Sequence, residues 1–169
     1  MAHTVGFTGS RSGFPVQWLV KAVALSVFHC GHSVAVGCAT GVDAVVRRFC
    51  PSAQVFKVAA PGAGSPVSFA AALARRSQAM VSACSILVGF ASVSCPAGVS
   101  PSSHFSGGGS GTWASIAYAI SQGIRVFVFP AAGVPLPAWS GGQWVQAVPS
   151  GLWSLAWFWQ PSATQLSLL

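Results

Sequence analysis

The stretch Gly107-Gly108-Gly109-Ser110-Gly111-Thr112 decides the fold, because it joins a glycine-rich loop to a helix-length segment and then to an apolar strand. The helix is predicted over Trp113–Gln122 and the strand over Arg125–Phe129. Glycine lets the backbone approach a ligand closely and adopt a positive φ. A helix that begins directly after such a loop presents unpaired N–H groups and the positive end of its dipole. The stretch therefore predicts a binding site for an anion, most often a phosphate.

Strand-like and helix-length segments alternate through the rest of the chain. The predicted strands are Thr4–Thr8, Ser33–Gly37, Gln54–Ala60, Ser85–Phe90 and Arg125–Phe129. The predicted helices are Val16–Cys30, Gly41–Phe49, a segment that runs from the N-cap Ser65 and Pro66 to Cys84, and Trp113–Gln122. Strands rich in Val and Phe without a polar face suit a parallel sheet that is covered on both sides. The pattern predicts an α/β fold: a Rossmann-like, doubly wound, mostly parallel sheet of five or more strands with helices on both faces.

Three glycine-containing turns follow predicted strands, at Gly9–Gly13, Gly37–Gly41 and Gly107–Thr112. Ligands of doubly wound folds bind beyond the carboxyl ends of the strands, so these turns are expected to surround the site. The long loop Ala91–Ser106, rich in Ser, Pro and Gly, is a further candidate for function.

The chain divides into two parts at residue 130. Residues 1–130 are predicted to form the Rossmann-type domain, and residues 131–169 a Trp-rich extension that packs on the domain or on a partner subunit. Five of the seven tryptophans lie in this extension: Trp139, Trp144, Trp153, Trp157 and Trp159. A stacking surface for bases is the alternative interpretation of these rings.

The composition is unusual in its charge. Charged residues make up 5% of the 169 residues, the formal net charge is +7, and Asp43 is the one acidic side chain. A positive surface favours polyanions, although a general loss of acidic residues explains the composition equally well. Metal-dependent nucleases and phosphatases need several carboxylates and are therefore disfavoured.

Other classes of function are limited by what the sequence lacks. No apolar run has the roughly 18–20 residues of a membrane-spanning helix, and the N-terminus lacks the pattern of a signal peptide. We expect a cytoplasmic protein without a membrane partner, and the scarcity of charge favours a homo-oligomer. The five cysteines show no C-x-x-C spacing, and the segment from His29 to His32 has no second ligand pair for zinc. We therefore predict neither a metal nor a cofactor.

Three sets of side chains are candidates for ligand contact. Ser10-Arg11-Ser12 directly follows the first strand, where an arginine can reach a bound phosphate. Thr40-Gly41-Val42-Asp43 has the form of a capping box, in which Asp43 would bond N–H groups of its own helix, but it also lies near the strand ends.

Arg76 is the third candidate, because it falls in the apolar stripe of its predicted helix. Phe69, Leu73, Arg76 and Met80 follow a 3.6-residue repeat, whereas Arg75 points away. A buried cation needs an anionic partner, which is either Asp43 or a ligand phosphate. The remaining alternative is that Arg76 extends to solvent at the helix end.

Four blocks in order resemble the SLOG superfamily, which joins DNA-processing protein A (DprA) with the LOG-type phosphoribohydrolases and sensors of NAD-derived nucleotides. The blocks are Val5–Arg11, Gly37–Asp43, Arg76 with Met80, and Gly108–Thr112. The resemblance covers about Met1 to Pro130 and implies a Rossmann-like sheet with a nucleotide or nucleic-acid phosphate site. In LOG-type enzymes a Glu works with the Arg to cleave an N-glycosidic bond. Ser115 stands at the position of that Glu, which argues against hydrolysis.

The resemblance and the residues together predict a non-catalytic site for a phosphate-containing nucleotide or an NAD- or ADP-ribose-derived ligand. The alternative is DprA-like binding of single-stranded DNA, and a phosphoribohydrolase that uses Asp43 and Arg76 is a third hypothesis. The predicted ligand-binding residues are Gly9, Ser10, Arg11, Thr40, Gly41, Asp43, Arg76, Gly108, Gly109, Ser110, Gly111 and Thr112.

Overall fold

The computed structural model describes residues 1–59, 67–102, 104–105 and 109–163. The strands are β1 (Thr4–Gly9), β2 (Ser33–Gly37), β3 (Gln54–Phe56), β4 (Ile86–Ala91), β5 (Arg125–Pro130), β6 (Gly142–Gln146) and β7 (Trp157–Pro161). The helices are α1 (Gln17–His29), α2 (Val42–Phe49), α3 (Phe69–Ser82) and α4 (Gly111–Ser121), with a 3-10 turn at Leu152–Leu155.

All seven strands lie in one mixed sheet, in the order β3-β2-β1-β4-β5-β7-β6. The first five are parallel, with Phe7 of β1 beside Val36 of β2 on one side and Val88 of β4 on the other. The chain moves outward from β1 to β3 and then crosses back to place β4 beside β1. The predicted Rossmann-like, mostly parallel α/β fold is confirmed.

Helices cover both faces of the sheet and bury two apolar clusters. On one face, α1 and α2 pack on a cluster that includes Phe7, Val23 and Phe90. On the other, α3 and α4 pack on a cluster that includes Met80, Leu87 and Trp113. Strands buried on both faces need apolar side chains at successive positions, which is why the sequence of β4 reads Ile-Leu-Val-Gly-Phe-Ala.

Helix α3 and strand β3 are shorter in the described residues than the sequence predicts. Helix α3 begins at Phe69, and its N-cap is Ser68, whose hydroxyl accepts the N–H of Ala71 at 3.1 Å. The N-cap predicted at Ser65 and the following Pro66 lie outside the described residues. Strand β3 ends at Phe56 because its partner β2 ends at Gly37, the residue paired with Phe56.

The C-terminal extension continues the sheet. Strand β7 pairs antiparallel with β5, and β6 pairs antiparallel with β7. Trp139, Trp144 and Trp159 pack on one another, while Trp153 packs on Phe127 and Phe129. These rings are used for packing inside the molecule, which argues against the alternative of a stacking surface for bases. The boundary at residue 130 stays a prediction.

None of the helices in the described part of the chain is long and apolar enough to cross a membrane.

Candidate functional site

A pocket of about 490 Å³ opens at the carboxyl ends of β1 and β4. This is the place where the strand order reverses, and ligands of open α/β sheets bind in such crevices. The turn after β1, the loop after β2, helix α3 and the start of α4 all contribute to its wall. The predicted site residues on the wall are Gly9, Ser10, Arg11, Asp43, Arg76, Gly109, Ser110, Gly111 and Thr112.

The turn after β1 brings Arg11 to the pocket. The carbonyl of Ser10 accepts the N–H of Gly13 at 3.1 Å and the N–H of Val42 at 3.2 Å. Gly13 has a φ of +94°, a conformation that glycine adopts without steric cost. The Arg11 side chain is exposed, so its guanidinium remains available to a ligand.

Thr40 and Gly41, two predicted ligand-binding residues, do not line the pocket. The Thr40 hydroxyl donates to the carbonyl of Arg11 at 2.8 Å. Gly41 has a φ of +66°, and a Cβ there would collide with the carbonyl oxygens of Ser10 and Arg11. Both residues therefore support the turn that carries Arg11, because only a residue without a side chain permits this approach of two backbones.

The predicted capping box is wrong. The N-cap of α2 is Gly41, and within the described ranges no side chain caps this end of the helix. The carboxylate of Asp43 instead accepts the N–H of Ala39, in the preceding loop, at 3.2 Å. Asp43 thus fixes the loop between β2 and α2 rather than the first turn of its own helix.

Asp43 also forms an ion pair with Arg76, in which Nη1 lies 3.3 Å from Oδ2. A Cβ at Gly37 would occupy the place of this guanidinium, so the absence of a side chain at Gly37 permits the pair. Burial raises the pKa of Asp43, and the Arg76 guanidinium opposes this shift by lowering that pKa. Asp43 was one of the two anionic partners that the sequence suggested for Arg76, and the structure contains this ion pair.

The ion pair leaves part of Arg76 unsatisfied. The side chain is 9% exposed, and its Nε is buried without a hydrogen-bond partner among the described residues. Its position beside the buried Met80 agrees with the predicted stripe, whereas Phe69 at the start of α3 is 59% exposed. Arg76 also lines the pocket, so an anion there would lie beside a buried guanidinium that has one ion pair among the described residues.

Helix α4 begins at the pocket wall. The hydroxyl of its N-cap, Ser110, accepts the N–H of Trp113 at 3.3 Å. The N–H groups of Gly111 and Thr112 form no hydrogen bond within the described part of the chain. Gly109 has a φ of +92°, and Gly108 lies outside the described residues. The pocket therefore combines a helix N-terminus with two arginines, an arrangement that attracts an anion.

Ser115 does not face this pocket. It is 1% exposed, and its hydroxyl donates to the carbonyl of Gly111 at 2.9 Å within α4. Asp43 is thus the one side-chain carboxylate on the wall, and it is already engaged by Arg76. In the described ranges, no three His, Cys, Asp or Glu side chains are grouped to hold a metal ion.

Sequence reasoning missed the apolar residues of the wall. Leu73 of α3, together with Val93 and Phe105 from the segment between β4 and α4, also line the pocket. The length of that segment marked it as a candidate for function. No periodicity within it could show which of its side chains would turn toward the ligand.

No family model matches the chain, and the search of curated proteins found no match. Among solved structures, the fold is similar to that of DNA processing protein A from Helicobacter pylori, with a TM-score of 0.56 and 15% sequence identity. The alignment covers 77% of this chain and 66% of that chain. That structure is described as showing the unique single-stranded DNA binding mode of the Helicobacter protein. At this identity the likeness concerns the fold, so membership of the SLOG superfamily stays a prediction.

Proposed function

We propose that the pocket binds a phosphate group of single-stranded DNA. The observation that carries this proposal is the convergence of Arg11, Arg76 and the N-terminus of α4 on one cavity, where the N–H groups of Gly111 and Thr112 have no partner among the described residues. Cationic side chains and helix N-termini are the usual partners of backbone phosphates. The similarity in fold to a protein with a described single-stranded DNA binding mode supports DNA as the source of the phosphate.

The charge of the chain supports a polyanionic partner. With a formal net charge of +7 and a single acidic residue, the protein offers almost no carboxylate that would repel a nucleic acid. Long-range attraction of this kind increases the rate of encounter, while the pocket provides a defined contact. The one carboxylate beside the pocket is compensated by Arg76.

A free nucleotide or an NAD-derived molecule is a second candidate ligand. The specific observation in its favour is the cavity volume of about 490 Å³, which falls in the range of about 300–1,000 Å³ that is typical of small-molecule sites. The same phosphate-binding groups would serve both ligands. Hydrolysis has less support, because a glycosidic mechanism needs a free carboxylate and Asp43 is engaged.

Salt-dependent binding tests the proposal. Fluorescence anisotropy with a labelled oligothymidylate of about 16 nucleotides should show binding at low salt that weakens as salt increases. For single strands, the slope of log K against log salt is about −0.7 for each phosphate neutralised. Arg11→Ala should therefore make the slope less negative by about 0.7.

Arg125→Ala is the matched control, because Arg125 begins β5 at the amino ends of the parallel strands, opposite the pocket, where its Nη2 lies 3.2 Å from Nε2 of His3. This variant removes the same charge but should leave the slope unchanged. An oligothymidylate that stays free at low salt, combined with tight binding of ADP-ribose by calorimetry, would replace the first candidate with the second.

A further inference from the structure

The pocket has an apolar wall that phosphate binding does not use. Ala70 and Leu73 come from α3, and Val93 and Phe105 come from the segment between β4 and α4. An inorganic phosphate has no apolar surface and gains nothing from such a wall. A ligand that uses the whole cavity must therefore carry an apolar group beside its anion.

Phe105 is the aromatic side chain best placed to contact that group. It is half-buried, and its ring packs edge-on against Tyr118 of α4, with centroids 6.0 Å apart and an interplanar angle of 68°. In edge-to-face packing the two rings do not cover each other completely, so aromatic surface remains for a further stacking partner. Because Tyr118 belongs to a regular helix, the Phe105 ring is held by a rigid element.

Val93 is also held by α4, through a hydrogen bond to its backbone. Its carbonyl accepts the indole N–H of Trp113 at 2.7 Å, and Trp113 is fully buried in α4. The Val93 side chain nevertheless remains 57% exposed on the pocket wall. The Phe105 ring and the Val93 backbone are thus both held against the helix whose N-terminus faces the same cavity.

We propose that one unpaired base of the bound strand stacks on Phe105, while the phosphate of the same nucleotide contacts Arg76 and the N-terminus of α4. This inference rests on the proposed function. It adds the base as the part of the ligand that gives a preference for single strands. In a duplex, the face of a base is covered by its neighbours and its edge by its partner. A base can reach Phe105 only when it is unstacked, and every base has a face that can stack.

An abasic strand distinguishes the contribution of the base to affinity from that of the phosphate. The probe pair is the labelled oligothymidylate of about 16 nucleotides and a strand of equal length in which stable abasic sugars replace the nucleosides. The folded wild-type chain should bind the abasic strand about tenfold more weakly. Phe105→Leu, which keeps an apolar contact with Tyr118 but lacks an aromatic face, should bind both strands at the weaker level.

Trp18→Leu is the control variant, because Trp18 is an aromatic residue of α1 that is 62% exposed and does not line the pocket. It should keep the wild-type preference for the oligothymidylate. Equal affinity of the wild-type chain for both strands, or an unchanged preference in Phe105→Leu, would overturn the stacking inference and leave the phosphate site intact. Failure of both strands to bind would overturn the proposed function and the inference together.

Discussion

The loop after β2 has an arginine on each side, and the two regions use the cation differently. On the α2 side, Arg47 donates to the carbonyls of Gly37 at 2.6 Å and Ala39 at 2.8 Å. On the α3 side, Arg76 has its contact with Asp43 at 3.3 Å and a buried Nε without a partner among the described residues. The protein itself supplies two carbonyl acceptors for Arg47, whereas Arg76 has one ion pair among the described residues and lines the pocket. The comparison indicates a structural role for Arg47 and a ligand-binding role for Arg76.

Removing Arg76 should produce the largest effect. Arg76→Met keeps most of the side-chain volume but removes the guanidinium, so the affinity for oligothymidylate should fall about tenfold to hundredfold. The variant also leaves Asp43 buried without its partner, which lowers the free energy of unfolding. Fluorescence anisotropy and urea unfolding measure the two effects.

A double variant separates binding from stability. In Arg76→Met with Asp43→Asn, no buried carboxylate remains unpaired, so part of the lost stability should return. Affinity for the oligothymidylate should not return, because the donor to the phosphate is still missing. Recovery of wild-type affinity in the double variant would show that Arg76 serves only to neutralise Asp43.

Removing Arg47 should lower the stability of the protein but hardly change its affinity for DNA. Arg47→Met deprives the carbonyls of Gly37 and Ala39 of their donors, and the free energy of unfolding should fall by about 1–3 kcal/mol. The affinity of the folded variant for oligothymidylate should change by less than about twofold at 0.15 M salt, where charges outside the pocket are screened over about 8 Å. A loss of affinity equal to that of Arg76→Met would remove the distinction between the two arginines.

The pH dependence of stability gives the smallest effect. Burial raises the pKa of Asp43, so the folded chain holds this proton to a higher pH than the unfolded chain does. The free energy of unfolding should therefore decrease as the pH rises from about 4 through the raised pKa. Urea unfolding at closely spaced pH values measures the slope, and Asp43→Asn should remove the part of it that Asp43 contributes. An increase in stability over this interval would mean that the attraction of Arg76 outweighs burial.

Much of the framework was predictable because local patterns determine it. The bounds of β2 were predicted as observed. Its short apolar run lies between two glycine-containing turns, which limit where a strand can begin and end. Arg76 was recognised by its position in an apolar stripe. The sequence offered Asp43 as the one acidic side chain that could pair with it, but left a ligand phosphate and extension to solvent open, and the structure contains the pair.

The roles of individual loop residues were less predictable. Thr40 and Gly41 match a ligand-binding block in sequence, yet they contact the backbone of the Ser10–Arg11 turn. Phe105 stood in a segment without periodicity, and the sequence offered no signal for its packing on Tyr118. In both cases, the neighbour that decides the role is far away along the chain.

The sequence by itself determined the alternation of strands and helices, the positions of the glycine turns and the single carboxylate available to a buried cation. These are local properties, since they follow from residue type and from spacing along one segment. Only the tertiary structure decided which side chains face the cavity, that Nε of Arg76 has no partner among the described residues, and that the C-terminal strands extend the sheet. Those properties depend on the packing of segments that are distant in the chain, and spacing within one segment carries no information about that packing.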